Sequence, residues 1–150
     1  MQTTKDFEEF FASFNKHAVE YLVVGGYAFA LHAHPRFTGD LDVFVGSSAE
    51  NGKRIVRALE DFGFTSQNLN PADFTKEGKV IQLGRAPIRI DILTGIDGVG
   101  FSEAWSRKVE GSYGTERVWF ISKPDLIANK RASGRERDLL DLNDLLTPES

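Results

Sequence analysis

An apolar run that ends in two glycines, Tyr21-Leu22-Val23-Val24-Gly25-Gly26, constrains this chain more than any other stretch. Four apolar residues stopped by glycine predict a buried strand. The missing side chains let an anionic ligand approach backbone N–H groups where the next helix starts. By itself such a pair serves as a plain turn more often than as a phosphate cradle. Thirteen residues further on, Asp40 opens a second predicted strand over 41–45, Leu-Asp-Val-Phe-Val. Strand alternation places Leu41, Val43 and Val45 on one face and Asp40, Asp42 and Phe44 on the other, so two carboxylates project the same way. Alone, that pair is more often a capped strand entry than a metal site. A third carboxylate, Asp91, lies inside Ile88-Arg89-Ile90-Asp91-Ile92-Leu93, on the face opposite the isoleucines and shared with Arg89. An unpaired carboxylate aimed into a core is costly. On neighbouring strands the three would repel one another unless cations lay between them. Mg2+, a hard ion held by a few carboxylates plus substrate phosphates, suits that donor set. Two such ions would clamp the attacking and leaving oxygens of an in-line displacement at phosphorus.

The remaining pattern supplies a scaffold. Phe7, Phe10, Phe11 and Phe14 recur at helical spacing and predict an amphipathic first helix. A short helix over 27–33 should end before Pro35. Ile55, Val56, Leu59 and Phe62 predict a helix over 48–61 with Gly63 as its stop. Residues 79–83 and 88–93 form an antiparallel pair around the turn Gly84-Arg85-Ala86-Pro87. A short helix over 103–109 and a final strand over 117–121 follow. Ser122-Lys123-Pro124-Asp125 matches a helix start, and Gly134 separates that helix from a last one over 136–146. The order is that of a mixed α/β domain without repeats.

Composition narrows the function classes. At 150 residues one domain is the natural reading. The absence of cysteine excludes disulfide scaffolds and zinc-thiolate sites. A hydrophobic fraction of 41% with twelve Phe supplies enough apolar surface for a core. The nearly uncharged stretch 21–35 is too short to span a membrane, and MQTTKDFEEF lacks the apolar centre of a signal peptide, so a cytoplasmic protein is expected. A net charge of -4 disfavours a broad nucleic-acid footprint. DNA recognition ranks low, whereas the basic stretch Lys123, Lys130, Arg131, Arg135 and Arg137 leaves RNA or nucleotide phosphates open. A solvated helix surface is an equal reading of that stretch, Lys130 excepted. Asp138 and Asp141 are expected to make salt bridges with Lys130 or an arginine. His32 and His34 have no third metal ligand nearby, and packing or surface roles are expected for them.

Taken together, Gly25-Gly26, the thirteen-residue spacer, Asp40-Leu41-Asp42 and Asp91 resemble the polymerase-β-type nucleotidyltransferase superfamily. The resemblance is to its small bacterial branch, with the lincosamide and aminoglycoside nucleotidyltransferases and the nucleotidyltransferase halves of toxin-antitoxin and abortive-infection systems. Arg36-Phe37-Thr38-Gly39-Asp40-Leu41-Asp42 fits that branch's Arg-x-Thr-x-Asp-aliphatic-Asp pattern, and 125–141 resembles its C-terminal helices. The resemblance implies an α+β nucleotidyltransferase fold, a mixed sheet flanked by helices with a short helical C-terminal segment. It implies one minimal domain over 1–150, with a core at about 20–121 and C-terminal helices at 122–146. Asp40, Asp42 and Asp91 would be the catalytic and metal-binding residues, with Asp91 as general base. Gly25, Gly26, Arg36, Thr38 and Lys130 would bind the nucleotide, the glycines through their backbone and Lys130 by neutralising the triphosphate. Two Mg2+ ions, an NTP such as ATP and a hydroxyl acceptor (small molecule, RNA end or protein) complete the implied reaction, which releases pyrophosphate. Many members carry Gly-Ser where this chain carries Gly25-Gly26. That departure and the small size keep a second expectation in view: a catalytically silent module acting through a partner protein, as in a toxin-antitoxin pair. A homo-oligomer or partner protein would complete the site.

Overall fold

Thr4 accepts a hydrogen bond from the Phe7 N–H and so starts helix α1, Lys5–Lys16, whose four phenylalanines are buried as their spacing requires. A computed structural model describes residues 4–64, 69–85 and 88–147. After α1 come β1 (Tyr21–Val24), α2 (Gly25–His32), β2 (Leu41–Val45) and α3 (Ala49–Phe62). Ser48 caps α3 through the Asn51 N–H, and Gly63 ends it in the left-handed region. Strands β3 (Val80–Arg85) and β4 (Ile88–Leu93) precede α4 (Phe101–Ser106), β5 (Val109–Tyr113) and β6 (Glu116–Phe120). Two helices, α5 (Lys123–Ser133) and α6 (Glu136–Leu146), close the chain.

The six strands form one mixed sheet in the order β3-β4-β2-β1-β6-β5. β1 runs antiparallel to β2 and parallel to β6, while β2 and β4 are parallel. All four residues of β1 are buried, so the sheet centre is covered on both faces. Tyr21 of β1 packs against Phe11 and Phe14 of α1, and its hydroxyl donates to Asn15. Among the described residues no helix is long and apolar enough to cross a membrane.

Three expectations are corrected. The second helix begins at Gly25, not beyond the glycines: Gly25, at φ +66, turns the chain directly off the strand into it. The helix expected over 103–109 is shorter, and Val109–Tyr113 is a strand paired with β6. Its alternating Val109, Gly111 and Tyr113 were hidden by the glycine, which lies beneath the Phe120 ring, where a side chain would collide. The predicted turn at 84–87 is displaced, since Gly84 and Arg85 pair with Arg89 and Ile88 in the β3–β4 ladder. Its centre at 86–87 lies outside the described residues. A 3-10 turn, Pro71–Phe74, seats Phe74 in the core without a periodic signal to announce it.

Candidate active site

Parallel pairing of β2 with β4 sets Asp42 directly in register with Asp91, and antiparallel pairing with β1 sets Val24 opposite Asp42. Gly25, the next residue, therefore stands beside the Asp42 carboxylate. It has φ +66, and a Cβ there would overlap that carboxylate. Gly26 is constrained differently. An added Cβ would lie 2.7 Å from Thr38 Cγ2 and 3.0 Å from Thr38 Oγ1. Thr38 thus occupies the space that a side chain at position 26 would need, so a Ser there would require the Thr38 side chain to shift. No side chain caps the start of α2, so its first N–H groups carry the partial positive charge of a helix end next to three carboxylates.

Arg89, two residues before Asp91 on the same strand face, binds it through both Nε (3.2 Å) and Nη2 (3.0 Å), and its Nε lies 3.7 Å from Asp40. One guanidinium therefore serves two of the three carboxylates. Asp42 is left with the shortfall. Burial, then the negative charges of Asp91 and Asp40, push its pKa up to about 6 against the relief offered by Arg89 and Arg135. Among the described residues, no three His, Asp or Glu side chains form a group that could hold a metal ion. Mutual repulsion and the pull of Arg89 account for the spread of the carboxylates. The donor chemistry nevertheless fits a divalent cation. Three hard oxygen donors share one face, and burial together with the charges of Asp91 and Asp40 pushes the pKa of one of them, Asp42, up to about 6.

A cleft of about 430 Å³ opens over this floor. It collects Gly25, Gly26, Arg36, Thr38, Asp40, Asp42 and Lys130, all singled out in the sequence, together with Phe37, Arg135 and Arg137. Asp91 lies below the lining at 7% exposure, facing Asp42. The wall comes from α5 and α6. Ser122 caps α5 through the Asp125 N–H and Gly134 closes it, so that α6 folds back against it. Lys130 is only 5% exposed and is held between Asp138 (3.2 Å) and Asp141 (2.9 Å). Asp141 also takes a two-pronged contact from Arg36 (2.8 and 3.2 Å), whose guanidinium lies 4.0 Å over the Phe29 ring. Burial alone would raise Asp138 and Asp141. Hydrogen bonds from Ser133 and Lys130 to the first, and from Arg36 and Lys130 to the second, outweigh it and hold both below the ordinary carboxylate value.

This changes the meaning of Lys130 and Arg36: both charges are engaged by carboxylates of the same chain before any ligand arrives. Arg137, exposed on the cleft, makes no ion pair among the described residues, and Arg135, also exposed there, gives its Nε to Asp138 (2.9 Å). The sequence offered them only within a basic stretch open to nucleotide or RNA phosphates, with a solvated helix surface as an equal reading. Arg89 was placed on the Asp91 face but not connected to it, although an i, i+2 pair of opposite charge in a strand is a usable signal. His32 and His34 diverge, His32 Nε2 toward the Ile121 carbonyl (2.7 Å) and His34 Nε2 toward Asp144 (3.2 Å), as packing and surface roles require.

The model of a family described as "Nucleotidyltransferase of unknown function (DUF6036)" matches residues 2–147. Among solved structures, the lincomycin-bound crystal structure of the lincosamide antibiotic adenylyltransferase LnuA matches with a TM-score of 0.58. The match covers 97% of this chain and 98% of that one at 16% identity. At that identity the likeness shows the fold, and it agrees with the expected α+β nucleotidyltransferase architecture. No curated protein matches the sequence.

Proposed function

The chain belongs to this family of nucleotidyltransferases, and we propose that, as one minimal domain, it moves a nucleoside monophosphate from an NTP to a hydroxyl acceptor in a Mg2+-dependent reaction in the cleft. The observation that carries the reading is the in-register pair Asp42 and Asp91 beside the glycine-opened start of α2. The backbone N–H groups of Gly25 and Gly26 receive the β- and γ-phosphates. Asp40, Asp42 and Asp91 are the residues to hold Mg2+, which when bound neutralises phosphate charge and favours ionisation of the acceptor hydroxyl. Asp91 takes the hydroxyl proton as that oxygen bonds to the α-phosphorus and the bond to pyrophosphate breaks. Arg89, partly exposed, must release Asp91 for this step. Arg135 and Arg137 meet the polyphosphate at the mouth. Lys130 positions Asp141, and through it Arg36.

Calorimetric titration with ATP, CTP, GTP and UTP in Mg2+ tests the reading, with the double variant Asp40→Ala/Asp42→Ala as control. Tight binding of at least one nucleotide by the natural chain, lost in the variant, is expected. No binding at all, or equal binding by the variant, would sink it. A second reading, a silent module acting through a partner protein, draws on Arg89 serving as the cation for Asp40 and Asp91. Under it, Mg2+ with any NTP and a panel of hydroxyl acceptors yields no pyrophosphate from the natural chain or from Arg89→Ala.

A further inference from the structure

Eight of the twelve phenylalanines are buried, and Phe62, Phe64 and Phe101 pack against the core. Phe37 alone stands out of it, 94% exposed, and it lines the cleft. Every other residue of that lining is glycine, polar or charged. Among the described residues, the remaining exposed large apolar side chains, Leu31, Val80, Leu139, Leu140 and Leu146, lie outside it. The ring forgoes the burial that the other phenylalanines have and is the one apolar face of an otherwise polar cleft, which makes it available to the apolar face of a ligand.

The backbone that carries Phe37 is held on both sides. On one, Arg36 is fixed by Asp141 and by the Phe29 ring. On the other, Thr38 packs against Gly26, its hydroxyl donates to the Arg36 carbonyl (3.3 Å), and its own carbonyl accepts from the Tyr27 hydroxyl (3.3 Å). Phe37 is therefore one residue from the side chain that touches the phosphate-cradle glycine, on a segment whose course is set before ligand binds. A flat apolar face held close to an anion site matches a molecule with a flat aromatic end and a charged end.

We propose that Phe37 is the stacking platform for the base of the bound nucleotide, an inference that rests on the nucleotidyl-transfer reading of the same cleft. Stacking tolerates every base because each has a π-face, and it favours purines by their larger overlap. The platform thus supplies affinity for the nucleoside end without reading base edges.

The test compares the natural chain with Phe37→Ala, Phe37→Leu and Phe37→Trp by calorimetry in Mg2+, using ATP, CTP and base-free tripolyphosphate as probes. Removing the ring is expected to weaken ATP binding about 10-fold, with CTP losing less. Tripolyphosphate binding should stay within about twofold, since the probe has no base to stack. Phe37→Trp should retain ATP affinity, and Phe37→Leu should fall between Trp and Ala. Unchanged ATP binding in Phe37→Ala overturns the proposal, as does an equal loss for ATP and tripolyphosphate, which would place the ring's effect at the phosphate end. If the natural chain binds neither nucleotide nor tripolyphosphate, the nucleotidyl-transfer reading itself fails. Failure of the platform alone leaves nucleotide binding intact.

Discussion

On the sheet floor of the cleft, Asp40 and Asp91 share the guanidinium of Arg89 and Asp42 is left outside the pair, whereas on the helical wall Asp138 and Asp141 meet Lys130, Arg36 and Arg135. The floor is short of positive charge, and burial together with the charges of Asp91 and Asp40 pushes the Asp42 pKa up to about 6. The wall is balanced, and its two carboxylates stay ionised to lower pH than usual. A shortage of charge is where an external cation gains most, while a closed network of buried pairs serves to hold geometry. The contrast separates residues that are available to a ligand from residues that hold the site together.

The largest effect should come from unpairing the wall. Lys130→Ala leaves Asp138 and Asp141 buried without their shared cation and is expected to cost about 3 to 5 kcal/mol, read from urea unfolding at neutral pH. A loss under about 1 kcal/mol would break the comparison, since Lys130 would then be a free phosphate ligand after all.

The floor should show the opposite sign. The folded-state pKa of Asp42 is raised above its unfolded value of 3.8, so the folded protein binds the extra proton between that value and about 6. The contribution of protonated Asp42 is complete below pH 4 and is lost as pH rises through 6. Asp42→Asn removes that loss and should stabilise the apo fold by about 2 kcal/mol at pH 8, with the gain vanishing toward pH 4, while nucleotidyl transfer is abolished. Melting temperature against pH for both proteins checks it. Carboxylates of the wall run the other way, their contribution fading only as the pH falls through their lowered values.

A smaller effect belongs to the floor's glycine edge. Gly26→Ala drives a methyl against Thr38 and is expected to cost about 1 to 2 kcal/mol. Gly39→Ala, with nothing within 4 Å of its Cβ, should leave stability unchanged within about 0.5 kcal/mol. Equal thermal shifts for the two would show that Thr38 yields freely. Smallest of all, Arg137→Ala at the exposed mouth should alter stability by less than about 0.5 kcal/mol while weakening NTP binding several-fold, with a reduced salt dependence. Loss of stability without loss of affinity would move Arg137 from the mouth into the wall network.

Much of this was legible in the chain. The faces of β2 and β4 follow from alternation, α6 spans the expected 136–146, and the caps at Ser48 and Ser122 are local signals. β5 was not legible, because Gly111 interrupts the apolar alternation and only the Phe120 ring above it explains why. Gly26 was legible only as a departure from Gly-Ser; that Thr38, twelve residues away, stands where its side chain would be was not. Arg36 and Asp141 are separated by 105 residues, and no spacing rule relates them.

What the amino-acid sequence determined by itself is the set of groups and the faces they occupy: two glycines at a strand end, two acids on one strand face, a third opposite a row of isoleucines. These depend on periods of 2 and 3.6 residues, which act within a single element. Only the tertiary structure decided which charges remain available. It set Asp42 against Asp91, gave Arg89 to the floor, and closed Lys130 and Arg36 into the wall. Electrostatic pairing is decided by distance and burial in space, and elements far apart along the chain supply both partners.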